Sequence, residues 1–235
     1  MTAKKKQNYP KKSSITTTLL KVVKPKTLNQ SNYLRDLLDI DLPIVIGTGP
    51  AGTGKTQLAI YAAAKSLYDG TVRRIILARP VVEAGENLGF LPGTLEEKID
   101  PYMRPLFDAF KLCFRKDTLV ELLNREVIEV CPLAYVRGRT FKDAYVILDE
   151  AQNATKEQVK MVLTRLGHES NIALTGDPSQ SDLHIPNGRN GLAVWSKILE
   201  DEDYTSVCQL TSVDNQRRPE VALLLQKYYE NTWNE

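Results

Sequence analysis

Short apolar runs and longer segments with helical spacing alternate along this chain. The runs are Ile44–Ile46, Arg74–Ala78, Val127–Cys131, Ala144–Leu148, Ile172–Thr175 and Ser206–Leu210, each short and apolar enough for a buried strand. Between and after them, Gln30–Asp39, Gln57–Leu67, Lys156–Leu166, Gly191–Leu199 and Pro219–Tyr229 predict helices. Gln57–Leu67 is rich in Ala and Leu without Gly or Pro, as a buried helix requires; Thr155 stands ready to cap the next helix, and Pro219 sits at a favourable first turn. Strands alternating with helices predict an α/β fold with a mostly parallel sheet covered on both faces. Residues 83–126 break this rhythm. Turn signals at Gly85, Gly89, Pro92-Gly93, Pro101 and Pro105 predict an inserted subregion of short helical pieces.

The first apolar run leads into Gly49-Pro50-Ala51-Gly52-Thr53-Gly54-Lys55-Thr56, the spacing G-x-x-x-x-G-K-[ST] of a phosphate-binding P-loop. Glycines let the backbone curl so that its N–H groups converge on phosphate oxygens, and the helix that follows adds positive potential. Lys55 is placed to reach the β- and γ-phosphates, and the Thr56 hydroxyl to ligate Mg²⁺. A strand, this loop and a helix in that order predict a nucleoside triphosphate site.

Composition narrows the setting without changing that reading. With 235 residues, 42% hydrophobic and 26% charged, the chain has the material for one large soluble domain. Cys113, Cys131 and Cys208 are dispersed and odd in number, and His168 and His184 stand alone, so neither a disulfide framework nor a metal cluster is expected. That pattern, no run of transmembrane length and no leader-like start predict an intracellular, cytoplasmic protein with no membrane partner. Charge is unevenly spread. Residues 1–26 carry eight lysines and no acid, leaving 23 of the 31 Lys and Arg to set against 29 Asp and Glu in the remainder. Residues 1–24 therefore read as a basic, flexible arm on a mildly acidic domain at 25–235, either contacting nucleic-acid phosphate or simply solubilising the chain.

A parallel-sheet NTPase gathers its chemistry at the carboxyl ends of its strands. Tyr145–Leu148 ends in Asp149 and Glu150, the first placed to hold Mg²⁺ and the second to act as general base on the attacking water. Thr175-Gly176 runs into Asp177 and Gln180, which can reach the metal's water shell and the γ-phosphate. After the last strand, Asn215-Gln216-Arg217-Arg218 offers an arginine for the charge that develops on the transferred phosphoryl, or a cap for the final helix. Ahead of the first strand, the amide of Gln30 suits the N6/N7 edge of adenine, or a plain surface position.

Together with Pro25-Lys26-Thr27, Asn29-Gln30, Arg79-Pro80, Glu83, Gly85-Glu86, Leu88–Gly93, Ala134–Thr140 and Asp149–Asn153, these segments resemble the PhoH-like ATPases. That resemblance implies a three-layer RecA-like core related to superfamily-one helicases, with ATP and Mg²⁺ as cofactors. It also implies hydrolysis coupled to RNA or single-stranded DNA and assembly of a homo-oligomer, a ring such as a hexamer. On the helicase analogy Arg79-Pro80 touches the nucleic-acid backbone, while Arg137 and Arg139 contact phosphate or reach a neighbouring subunit's nucleotide. The expected site is thus Gly49–Thr56 and Gln30 for the nucleotide, Thr56 and Asp149 for the metal, and Lys55, Glu150, Gln180 and Arg217 for catalysis. A P-loop kinase with a small acceptor and a non-catalytic ATP-gated binding module are the alternatives.

Overall fold

The computed structural model describes residues 20–80, 95–183 and 190–218, five scattered positions beyond them, and only the backbone of 95–102. The expectations for residues 1–19, for Glu83 to Gly93 and for most of the helix at Pro219–Tyr229 lie outside the described residues. The chain runs α1 (Leu28–Leu38), β1 (Ile44–Thr48), α2 (Lys55–Asp69), β2 (Arg74–Arg79), α3 (Leu95–Cys113), α4 (Lys116–Asn124) and β3 (Ile128–Pro132). It continues through β4 (Ala144–Leu148), α5 (Lys156–Leu163), β5 (Asn171–Gly176), α6 (Gly191–Ile198) and β6 (Thr205–Gln209).

The strands form one sheet in the order β3-β2-β4-β5-β1-β6, and every neighbouring pair is parallel. The sheet is wholly parallel where a mostly parallel one was expected. β5 lies between the P-loop strand β1 and the acid-bearing strand β4, the arrangement of a RecA-like core. Side chains alternate across the pleat. Val45, Leu77 and Ile147 join the apolar core beneath α1, α2, α3 and α4, whereas Ile46, Ala78 and Leu148 join the one beneath α5 and α6. Helices therefore cover both faces, and β1 and β4 are buried at every position.

Two expectations are corrected. Pro101 and Pro105 do not divide short pieces; both lie inside α3, a helix of 19 residues. Each interior proline costs about 3 kcal/mol. Met103, Leu106 and Phe110 are buried on the same helix, and burying such side chains is worth about 1.5–3 kcal/mol each, which is of the size needed to hold it together. Residues 20–24, expected within the N-terminal arm, include two that join the folded part. Leu20 and Val23 pack against the core, and Lys21 N donates to Cys113 O at 2.9 Å.

Candidate nucleotide site

β1 delivers the loop Gly49–Gly54 to the first turn of α2, and backbone geometry explains its glycines. Gly49, Gly52 and Gly54 have φ of +136°, +87° and +85°, conformations that side chains other than glycine's rarely adopt. A Cβ on Gly49 would also lie 2.1 Å from Leu210 O, because the loop is pressed against the end of β6. Gly54 caps α2 without any side-chain bond, so the helix's first N–H groups remain directed at whatever the loop encloses. Lys55 is buried, and its Nζ donates to Gly49 O, to Pro50 O at 2.7 Å and to Thr53 Oγ1 at 3.3 Å. Burial pulls its pKa down, while Asp177, Glu150 and Asp149 work to keep it charged.

The loop opens on a cavity of about 540 Å³ whose walls include Lys55, Thr56, Asp149, Glu150, Gln180 and Arg217. The strand order brings these residues together, since β4, β5 and β1 end side by side. Thr56 Oγ1 and Thr175 Oγ1 both donate to Asp149 Oδ1 at 2.7 Å. Burial and the neighbouring Glu150 push the Asp149 carboxyl above its usual range, against the pull of those two hydroxyls and Arg79. A hydroxyl and an acid in contact at a loop of converging amides are the donor set that Mg²⁺ takes beside a phosphate, so the residues fit that ion.

Glu150 lies two residues past β4 in left-handed backbone, φ 51° and ψ 42°. Its Oε1 accepts from Arg79 Nη2 at 2.9 Å and its Oε2 from Gln152 Nε2 at 2.6 Å. Gln152 is buried, and its Oε1 in turn accepts the Asp177 N–H at 3.1 Å, linking the ends of β4 and β5. Asp177 Oδ1 accepts from the backbone and hydroxyl of Ser179, at 3.0 and 2.7 Å, which fixes the turn that carries Gln180.

The other flank of the loop is braced from both ends of the chain. Gly52 O accepts Gln216 N at 2.9 Å, and the Arg217 stem packs so close that a Cβ on Gly52 would lie 2.9 Å from its Cγ. Buried Asp214 accepts from Thr27, Asn29 and the Thr211 N–H, joining α1 to this segment. Arg217 thus reaches the cavity of its own chain.

Several expected residues sit elsewhere. Gln30 is buried and does not line the cavity: Nε2 donates to Thr53 O at 3.0 Å and Asp214 O at 3.2 Å, while Oε1 accepts Lys26 N at 2.7 Å. Both amide protons go to backbone carbonyls, so in this arrangement the residue braces the loop. Arg79 was expected on nucleic acid, but its side chain lies in the nucleotide cavity because β2 ends beside β4; Pro80 after it is buried. Arg139 holds both oxygens of Glu129, one at 2.6 Å, and stacks 5.0 Å from the Phe141 ring centroid, so its guanidinium is committed within the chain. Arg137 is exposed, in a shallow groove beside Glu157 and Gln158, away from the cavity.

Sequence reasoning placed Arg79 on nucleic acid, gave Gln152 and Thr175 no role, and did not foresee the cavity wall formed by Leu106, Ala109 and Leu112 of α3. Thr175, a hydroxyl closing an apolar strand beside an expected acid, is the one that carried a local signal.

The family profile described as "PhoH-like protein" matches residues 22–229. A PhoH-like protein of Mycobacterium tuberculosis is 54% identical over 209 residues, covering 88% of this chain and 58% of the relative. One from Bacillus subtilis is 51% identical over 209 residues, with 88% and 64% covered. The chain thus spans about three fifths of the length of these curated relatives. Among solved structures, the UvsW helicase of bacteriophage T4 aligns with a TM-score of 0.48 at 13% identity, over 81% of this chain and 63% of that one. Among the described residues, no helix is long and apolar enough to cross a membrane.

Proposed function

The chain belongs to the PhoH-like family of P-loop proteins, and on that footing we propose that it is a Mg²⁺-dependent ATPase whose hydrolysis drives remodelling of RNA or single-stranded DNA. The observation that carries the hydrolytic part is Glu150, set directly after Asp149 in the cavity that holds Lys55 and Thr56. A carboxylate one residue past the metal's acid favours water over a substrate hydroxyl as the acceptor, and so an ATPase over a kinase.

In this reading the α2 amides and Lys55 take the β- and γ-phosphates, Lys55 trading its bonds to Gly49 O and Pro50 O for phosphate oxygens. Thr56 and Asp149 would hold Mg²⁺, which would supply neutralisation of phosphate charge there. Glu150 accepts a proton as water attacks the terminal phosphorus and the bond to ADP breaks. Gln180 orients that water, and Arg217 meets the developing charge from the Gly52 side.

The nucleic-acid part draws support from the eight lysines of residues 1–26 and from exposed Arg137. One RecA-like lobe grips a strand only against a second lobe, which motivates a homo-oligomer, tested by gel filtration with light scattering.

The decisive experiment is phosphate release from MgATP with and without RNA or single-stranded DNA. Release should require Mg²⁺, rise with one of the polymers, and collapse in E150Q while nucleotide binding survives. No release with both Mg²⁺ and polymer present would sink the enzyme reading. If the residues before Leu20 contribute, deleting 1–19, which spares Leu20 and Val23 on the core, should flatten the salt dependence of polymer binding, by roughly 0.7 in log–log slope for each phosphate they neutralise.

A further inference from the structure

Both oxygens of the Glu150 carboxylate are taken, Oε1 by the Arg79 guanidinium and Oε2 by the Gln152 amide. Each oxygen keeps a further lone pair, so these bonds hold the carboxylate in place and leave it fewer sites for a water proton. The Arg79 side chain is only 21% exposed, and its Nε lies 3.9 Å from Asp149 Oδ2. The other Asp149 oxygen accepts from Thr56, so one carboxylate separates the guanidinium from the hydroxyl at which phosphate and metal meet. The strand order sets the direction of approach. Arg79 enters from β2, on the side of Asp149 and Glu150, whereas Arg217 follows β6 and enters from the side of Gly52. A terminal phosphate that reaches past Lys55 toward Glu150 arrives at Arg79, and phosphate oxygens compete well with a carboxylate for a guanidinium fork.

We propose that Arg79 discriminates triphosphate from diphosphate, its guanidinium resting on Glu150 and passing to the terminal phosphate when a triphosphate enters, which frees Glu150 Oε1 to take the water proton. This assignment rests on the nucleotide-hydrolase reading above. It makes Arg79 at once a ligand of the substrate and the residue that holds the base until substrate arrives. ADP has no terminal phosphate to attract it, so the Arg79–Glu150 pair persists with product.

The test is calorimetric titration of the full chain and its R79A, R79K, E150Q and R79A/E150Q variants with Mg²⁺ and either AMP-PNP or ADP. R79A should weaken AMP-PNP at least about tenfold while changing ADP less than about twofold, and R79K should recover part of the AMP-PNP loss. E150Q, which leaves Arg79 a neutral partner, should tighten AMP-PNP about three- to tenfold, a gain absent from R79A/E150Q. Equal losses for the two nucleotides in R79A would overturn the proposal, since a merely structural arginine affects both alike. So would an E150Q gain that persists without Arg79, because relief of carboxylate–phosphate repulsion would then explain it. Were the unmutated chain to bind neither nucleotide, the nucleotide reading would fall and the proposal with it.

Discussion

Thr175 donates its hydroxyl to Asp149 Oδ1 at 2.7 Å, tying the end of β5 to the acid that closes β4. Neither residue is exposed to solvent, so the bond is made where a carboxylate has few other partners. A second residue that orients a metal's ligand is typically worth 10- to 100-fold in metal affinity. T175V keeps the shape and removes the donor. It should raise the Mg²⁺ concentration for half-maximal phosphate release about tenfold, with T175S close to the unmutated chain. An unchanged Mg²⁺ requirement in T175V would separate Thr175 from the metal site.

Asp214 carries a pH dependence whose sign can be worked out. Burial raises its pKa, but the Thr211 N–H and the side chains of Thr27 and Asn29 outweigh it, and the net shift is downward. A carboxyl with a depressed folded-state pKa contributes stability that is complete above its unfolded value near 4 and vanishes as pH falls through the folded one. D214N replaces an acceptor by a donor facing other donors, so it should cost about 1.5–3 kcal/mol at neutral pH. Urea unfolding at a series of pH values should show the gap between the two proteins closing below about pH 4. A gap constant down to pH 2.5 would mean the charge plays no part.

How much of this site is legible in the sequence depends on how far apart its partners lie along the chain. The P-loop is legible because Gly49 to Thr56 are neighbours, and their backbone demands are local. Asp149 and Glu150 are legible because an apolar run predicts the strand they close. The Arg79–Glu150 pair spans 71 residues and exists only because β2 lies beside β4, a fact of strand order that no local pattern contains. The partners of Gln30 are equally remote along the chain. Its chemistry suits adenine, but Thr53 O and Asp214 O, 23 and 184 residues away, take its amide protons first. In α3, two prolines signal interruption locally, and burial against α2 overrides them.

Two P-loop glycines should fail differently when substituted. At Gly49 the φ is +136° and a Cβ would meet the Leu210 backbone carbonyl at 2.1 Å, with no side chain able to move aside. At Gly52 the φ is +87° and the obstacles are the side chains of Asn215 and Arg217, which can swing away. G52A should therefore cost about 1–2 kcal/mol of backbone strain, whereas G49A should exceed that and displace β6 from the loop. Thermal unfolding of both variants ranks them, and G49A as the milder change would contradict the described packing.

Tyr33 presents the reverse case, a polar group whose removal should help. Its ring packs against Gly47 of β1, where a Cβ would come within 2.6 Å of the hydroxyl oxygen, so only glycine leaves room for it. The hydroxyl is buried and finds no hydrogen-bond partner among the described residues. An unsatisfied buried hydroxyl costs about 1–3 kcal/mol, and Phe supplies the same ring without it. Y33F should leave stability unchanged or raise it by about 1 kcal/mol, while Y33A, which empties a fully buried site between α1 and β1, should cost about 3–5 kcal/mol. A Y33F variant less stable by more than about 1 kcal/mol would reveal a partner for the hydroxyl, since losing a satisfied bond carries a cost of that size.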